Sequence, residues 1–402
     1  MSKKRIKQLK VISIFCVLIL LAEIIYVSYS LFYKNKESLY FDGMNAIVSN
    51  DSFYVAVGSN NDNVHSYEKA KLSKYNRNRV KNFEKLYNVG YNSAFFGVAM
   101  DEEYIIAVGS YEKNEEDHEE SVRRALIVKY DKDGNVLFES DFKILDNSKF
   151  TSVVVVEDGY IVTGQTIYKT TRVGSKEGGA LLVKYDKDGN LVWSTTYGNN
   201  KSATFNDLLV YNGYIYTVGT HENHIGIICK YDLNGGFITY NDYLYTDDIG
   251  FSGIVELNNY LYVSGSNRDG KQSANAMIVQ YDLDCTYMGQ AAYEAEGSVR
   301  YNKLITDSNN YLIAIGIAAT QKKSNNRSAD TFNYDGLIAK YDSSLKEIEV
   351  VMYGDERDDY FTDIILDHNQ YLVVGYSSYE DGSYLSKFIR YSDALKVLGV
   401  ES

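Results

Sequence analysis

Proline is absent from all 402 residues, where an ordinary composition would place about 20. Its absence excludes collagen-like, polyproline and Pro-rich linker architectures. Tryptophan occurs once and cysteine three times. Cys16 lies mid-way along an apolar run behind bulky Phe15, which excludes a lipid-attachment cysteine. Cys229 and Cys285 stand at non-equivalent places and read as buried free thiols, so no disulfide scaffold holds the chain together. Basic residues are also short, 41 against 54 acidic, for a net charge of −13. What is abundant is tyrosine, at 39 copies, within a 45% hydrophobic and 24% charged composition that belongs to a chain able to bury a core.

Length alone suggests two or three domains. The N-terminus is separate in character. Lys3, Lys4, Arg5, Lys7 and Lys10 form a basic tail (1–10) before an apolar run (11–32), long enough to span a bilayer. The positive-inside rule keeps the tail cytoplasmic and places everything beyond a juxtamembrane linker (33–43) outside, as a single-pass signal anchor. The alternative is a secreted protein released by cleavage near Ser28 and Ser30. Beyond residue 33 the chain carries 36 basic and 53 acidic residues, net −17, a poor surface for nucleic acid or anionic lipid.

Internal repetition decides the fold. An alternating apolar segment ends in glycine at Gly58, Gly109, Gly164, Gly219, Gly265, Gly316 and Gly375, and a second ends in tyrosine at Tyr75, Tyr130, Tyr185, Tyr231, Tyr281, Tyr341 and Tyr391. The residue before each tyrosine is Lys, except for Gln280 and Arg390. From that residue to the next glycine the spacing is 35, 35, 35, 35, 36 and 35; from each glycine to the following Lys, Gln or Arg it ranges from 11 to 24. Insertions therefore concentrate in one connection. In the third unit the pattern predicts strands at Phe150–Val156, Tyr160–Gly164, Ala180–Tyr185 and Leu191–Tyr197, the last two joined by the hairpin Asp186-Lys187-Asp188-Gly189-Asn190 with positive φ at its glycine. Seven four-stranded units are what a seven-bladed β-propeller requires. A lone blade cannot bury both faces, so residues 44–402 form one all-β domain, each blade completed by contiguous chain. Pairing of Leu39–Phe41 on the last blade is a further route to ring closure.

The run from Gly179 through Trp193 to Gly198, followed by Tyr214-Ile215-Tyr216-Thr217-Val218-Gly219-Thr220, resembles the bacterial β-propeller repeat family abbreviated SBBP. The likeness is good in units two to four and looser in the first, sixth and seventh, where Trp and the Asp-Gly turn are missing. It implies a secreted or surface-exposed bacterial propeller and carries over no catalytic residues.

The variable connection joins second to third strands, so one rim varies in length while the other keeps short turns, and binding function favours variable loops on a rigid scaffold. Candidate rim residues are the acidic run Glu112, Glu115, Glu116, Asp117, His118, Glu119 and Glu120, the pair His221 and His224, and the basic Lys322, Lys323 and Arg327 in the longest excursion, Ile317 to Asp335. The His pair lies in loops, where histidines ordinarily sit, and is read as no metal site. Asp131-Lys132-Asp133-Gly134-Asn135 and its counterpart at 186–190 lack the glutamate a calcium loop needs at its twelfth position, Phe142 and Tyr197 standing there. The channel-lining strands place Asn45, Ser152, Asp207, Gly253, Lys303 and Asp363 at one level. Of these, Asp207 and Asp363 supply the carboxylate pair that glycoside hydrolysis would need.

No nucleophile elbow, phosphate loop or Ser-His-Asp set is present, and no cofactor is expected. The sequence reads as a membrane-anchored extracytoplasmic propeller, not an enzyme, that binds a protein or cell-envelope polymer through its variable rim. A glycan-active hydrolase at the channel mouth and an assembly component of a cell-surface complex are the alternatives. Oligomeric state is open.

Overall fold

The computed structural model describes residues 41–401 apart from 62–66, 88, 114–121, 143–146, 171–175, 199–201, 223–224, 245–246, 269–272, 322–331 and 380–382. The basic tail, the apolar segment at 11–32 and the linker as far as residue 40 lie outside the described residues. Among the described residues twenty-eight strands form seven four-stranded antiparallel sheets, each in simple sequence order, which is a seven-bladed propeller. The innermost strands are Asp42–Ser49, Tyr91–Met100, Lys149–Val156, Ala203–Tyr211, Asp247–Leu257, Val299–Thr306 and Asp359–Asp367.

The core lies between blades. Seven clusters of buried apolar side chains fill the seven interfaces, so each sheet is covered by its neighbours. The repeated tyrosines are the wedges: all seven are buried. In six blades the tyrosine ring meets the aromatic of its own innermost strand edge-on, as in Phe95–Tyr130, Phe251–Tyr281 and Tyr301–Tyr341 at 6.3–6.4 Å, with Phe150–Tyr185, Phe205–Tyr231 and Phe361–Tyr391 alike. In the first blade Met44 takes the aromatic's place and Tyr75 turns to Phe388 of the last blade.

Four of the five lysines before the tyrosines tie blades together, whereas Lys184 pairs with Asp158 of its own blade. Lys74 Nζ donates to the Lys132 carbonyl, Lys129 to Lys187, Lys230 to Leu283 and Lys340 to Asp393, each in the third-to-fourth-strand turn of the next blade. The same ammonium groups lie 4.0–4.3 Å from the ring centres of Phe53, Tyr104, Tyr214 and Tyr311. Gln280 keeps the connection indirectly through Tyr262, whose hydroxyl donates to the Ser343 carbonyl.

The repeated glycines have a steric cause. A Cβ on any of the seven would overlap a carbonyl oxygen of the adjacent innermost strand, those of Gly43, Ala94, Lys149, Thr204, Gly250, Arg300 and Tyr360. Every innermost strand carries a β-bulge just beyond that point, and the glycine lets the bulged strand come close. At the hairpins, Gly134 and Gly189 have φ of 77° and 85° as expected. Arg79, Cys285, Leu345 and Leu395 adopt the same left-handed conformation where glycine is missing. Asp131 and Asp186 each accept backbone N–H groups two and four residues on, which fixes these segments as turns.

Strand ends on the variable rim reach further than the sequence pattern predicts. In the third blade the second and third strands are Gly159–Thr170 and Lys176–Asp186, and in the sixth they are Leu312–Gln321 and Phe332–Tyr341. Part of each insertion is absorbed by lengthening the hairpin ladder, because paired strands satisfy backbone groups that a loop would leave to solvent. The last strand is Val397–Glu401, short because Leu395, with its positive φ, belongs to the turn before it.

Each blade is drawn from contiguous chain, and the ring closes through side chains. Thr362 Oγ1 donates to the Met44 carbonyl, Tyr54 Oη and Arg77 both bind the Asp367 carboxylate, and Arg79 pairs with Glu401. Phe41 adds one parallel bridge to Tyr384 of the last blade, as the proposed pairing of that segment anticipates; Leu39 lies outside the described residues.

Candidate functional site

Three rows of side chains line the channel, and the bulge sets their order. The bulged residues are Asn45, Phe96, Thr151, Asn206, Ser252, Asn302 and Thr362. A bulge leaves a ladder carbonyl without its partner. Here the bulged side chain of one blade donates to that carbonyl in the next: Asn45 to Phe95, Thr151 to Phe205, Asn206 to Phe251, Ser252 to Tyr301, Asn302 to Phe361 and Thr362 to Met44, all at 2.6–2.8 Å. Phe96 alone cannot donate and breaks the ring of bonds once.

The deeper row is Ala46, Gly97, Ser152, Asp207, Gly253, Lys303 and Asp363. Asn45 therefore belongs to the bulge row and not with Ser152 and Asp207, a correction that follows from the extra residue a bulge inserts. Asp207 Oδ2 binds Lys303 Nζ at 2.8 Å and the Ile254 amide at 3.2 Å, while its Oδ1 accepts from Ser152 Oγ at 2.8 Å. Asp363 accepts from the amides of Ile47 at 2.8 Å and Ile364 at 2.9 Å. Burial pushes the Asp363 carboxyl up to about 6, with Lys303 and the two amides holding it down and Asp207 adding to the rise. For Lys303 burial disfavours the charge, yet Asp207 and Asp363 outweigh it and the ammonium is held above its ordinary range. Of the two predicted channel carboxylates, Asp207 thus pairs with Lys303 and Asp363 lies in the field of the same ammonium, around a cavity of about 390 Å³.

The mouth row stands two residues before the bulge: Gly43, Ala94, Lys149, Thr204, Gly250, Arg300 and Tyr360. It puts one cation on the third blade and one on the sixth, across the opening from each other. Arg300 is exposed and lines a cavity of about 560 Å³ with Tyr334 and Tyr360. Lys149 lines a second of about 390 Å³ with Phe41 and Phe96, its Nζ 5.5 Å from the Phe96 ring centre. Burial, then the charge of Arg123, holds the Lys149 ammonium below its usual range. Among the described residues neither cation has an ion-pair partner.

An aromatic path joins the two cavities. Phe41 meets Tyr376 edge-on at 5.3 Å, Tyr376 stacks on Tyr360 at 5.0 Å, and Tyr360 meets Tyr334 at 5.7 Å, with Tyr384 packed beside Phe41, Tyr360 and Tyr376. Burial raises the Tyr376 phenol, which also feels Arg300 from the sixth blade and Glu68 from the first.

Of the rim residues singled out in the sequence, Glu112 binds Arg123 at 2.7 Å and Asn92 at 3.0 Å at the edge of the second cavity. His221 is buried, its ring nitrogen 2.9 Å from Asp242, and it packs on Tyr197. Glu115, Glu116, Asp117, His118, Glu119, Glu120, His224, Lys322, Lys323 and Arg327 lie outside the described residues. Sequence reasoning missed Lys149, Arg300 and the Tyr cluster. Counting two residues back from each bulge would have found the cations.

Comparison with known protein families and with curated proteins finds no match. Among solved structures, the chain is similar to the β-propeller domain of the Trilobed protease from Pyrococcus furiosus, described as having an open velcro topology: 9% identity, 90% of this chain and 95% of that one covered, TM-score 0.50. It is also similar to an acylaminoacyl peptidase in complex with Z-Gly-Gly-Phe-chloromethyl ketone, at 8% identity and TM-score 0.50, where 90% of this chain spans about half (53%) of that one. At such identities the likeness is one of architecture, and the architecture is a seven-bladed β-propeller.

Proposed function

We propose that this chain is a membrane-anchored, extracytoplasmic propeller of the SBBP type that acts as a binding module for a protein or a cell-envelope polymer through its variable rim. One observation carries the reading: two cavities joined by the aromatics Phe41, Tyr376, Tyr360 and Tyr334 lie on the rim whose connections vary in length. Clefts of a few hundred Å³ lined by aromatics and a few polar groups are the usual form of a ligand site.

A second reading, hydrolysis inside the channel, is favoured by Asp363, whose carboxyl is pushed up to about 6 near Asp207 and Lys303. Against it, each carboxylate oxygen of both residues already accepts a bond from Lys303, Ser152 or a backbone amide. That arrangement braces neighbouring blades.

The test is capture of envelope components by the full chain, by a Tyr334→Ala/Tyr376→Ala variant, and by a Lys187→Ala variant on the opposite rim. Loss confined to the tyrosine variant is expected; equal recovery by all three sinks the rim reading. Glycan cleavage abolished by Asp363→Asn would establish the second reading in its place.

A further inference from the structure

We propose that the channel mouth takes a linear acidic saccharide, with sugar rings lying on Tyr376, Tyr360 and Tyr334 and carboxylates held by Arg300 and Lys149. The inference rests on the rim reading above and names its ligand class.

Three observations converge. First, the path is built of tyrosine and phenylalanine rings, most of them partly buried, with Tyr334 exposed at the surface. The C–H face of a pyranose is apolar and slightly positive, and the face of an aromatic ring carries the complementary negative quadrupole. Second, each end of that path finishes at a cation with no ion-pair partner among the described residues, in a chain with a large acidic excess. A cation that escapes pairing on such a surface is available to an anion arriving from outside, and the partial burial of Lys149 strengthens that attraction. Third, hydroxyl and amide side chains, Thr220, Ser266 and Ser298 in one cavity and Ser59, Asn92 and Ser110 in the other, line the walls where sugar hydroxyls would come, the second cavity carrying also Glu68 and the Glu112–Arg123 pair.

The spacing of the features selects the ligand. Two separated cations linked by ring faces suit a polymer that alternates rings with single charges. Nucleic acid and polyphosphate, with dense charge, are repelled by the net negative field. A folded protein would present a broad surface, whereas these are two concave pockets around a narrow opening.

The full chain is titrated calorimetrically with a hexamer of galacturonic acid, with maltohexaose as the neutral control and with polyglutamate as the anionic peptide control. The acidic saccharide is expected to bind, Arg300→Gln and Lys149→Gln each to weaken it by about tenfold, and Tyr376→Ala to weaken both saccharides. Should Tyr376→Ala lose the wild-type melting temperature, Tyr376→Leu replaces it. Absence of saccharide binding, or binding unchanged in the variants, overturns the assignment, as does polyglutamate binding with equal strength and no dependence on Tyr376. If the saccharide fails while the envelope-capture experiment still depends on Tyr334 and Tyr376, the ligand class falls and the rim reading stands; if both fail, both fall.

Discussion

Lys303 reaches Asp207 at 2.8 Å from two blades away, passing over the fifth blade at Gly253. A side chain at Gly253 would press on Ser264 Oγ and the backbone at Lys303 and Leu304. The pair therefore ties the fourth blade to the sixth and leaves a second carboxylate, Asp363, in the field of the same ammonium. Removing the cation leaves two carboxylates in a confined channel. Lys303→Met is expected to lose about 1–3 kcal/mol in urea unfolding, between the values for exposed pairs and for broken buried pairs because the lysine is partly exposed. It should also drive the Asp363 carboxyl further up, visible by carboxyl NMR titration.

Asp363 gives stability an unusual slope with pH. Its folded value, about 6, lies above the ordinary aspartate value, so the native state binds the extra proton in between. The contribution is fully present below about pH 4 and is lost as pH rises through about 6, amounting to at most about 3 kcal/mol. The difference in unfolding free energy between wild type and Asp363→Asn should shift by an amount of this order between about pH 4 and 7. A constant difference would contradict it. Asp367 works the other way: burial alone would raise it, but Tyr54, His368 and Arg77 hold its carboxyl below the ordinary range, so its contribution is present above about pH 4 and disappears as pH falls.

The ring of bonds from bulged side chains to neighbouring carbonyls predicts a position-specific cost. Asn302→Ala leaves the Phe361 carbonyl without its donor and should destabilise by about 1–3 kcal/mol. The same change at Asn78, whose backbone N–H donates to Asn76 Oδ1 in its own turn and would be kept by alanine, should be close to neutral. Chemical denaturation of the two variants side by side checks the claim.

Two tyrosines at the same repeat position should respond oppositely to loss of their hydroxyls. Tyr341 Oη bonds Tyr301 Oη at 2.8 Å inside the core, so Tyr341→Phe should cost about 1 kcal/mol or more. The Tyr391 hydroxyl is buried with no hydrogen-bond partner among the described residues, so Tyr391→Phe should be neutral or stabilising by a similar amount. Equal melting temperatures for the two variants would refute the distinction.

These comparisons show what the sequence made legible and why. Gly, Lys and Tyr recur because every blade needs them in the same place: Gly316 for the close approach of the Arg300 carbonyl, Lys340 for the next turn, Tyr341 for the wedge. A need repeated seven times becomes a pattern. The channel level of Asn45 was misplaced because alternation counts fail across a bulge. The mouth cluster was invisible for another reason. Phe41, Tyr334, Tyr360, Tyr376 and Tyr384 come from three blades and repeat nowhere, so only the closed ring brings them together. The acidic run after Glu112 and the basic stretch at 322–327 were conspicuous in sequence for their charge density, a signal that does not depend on where the chain goes.

Phe41 enters the propeller on the variable rim, beside Tyr376 and Tyr384. Residues 33 to 40 are eight in number, and eight residues at full stretch reach no more than about 30 Å. If the apolar run is held in a bilayer as proposed, those eight residues set an upper limit on how far Phe41, and with it the mouth lined by Tyr376 and Tyr384, can stand from the lipid surface.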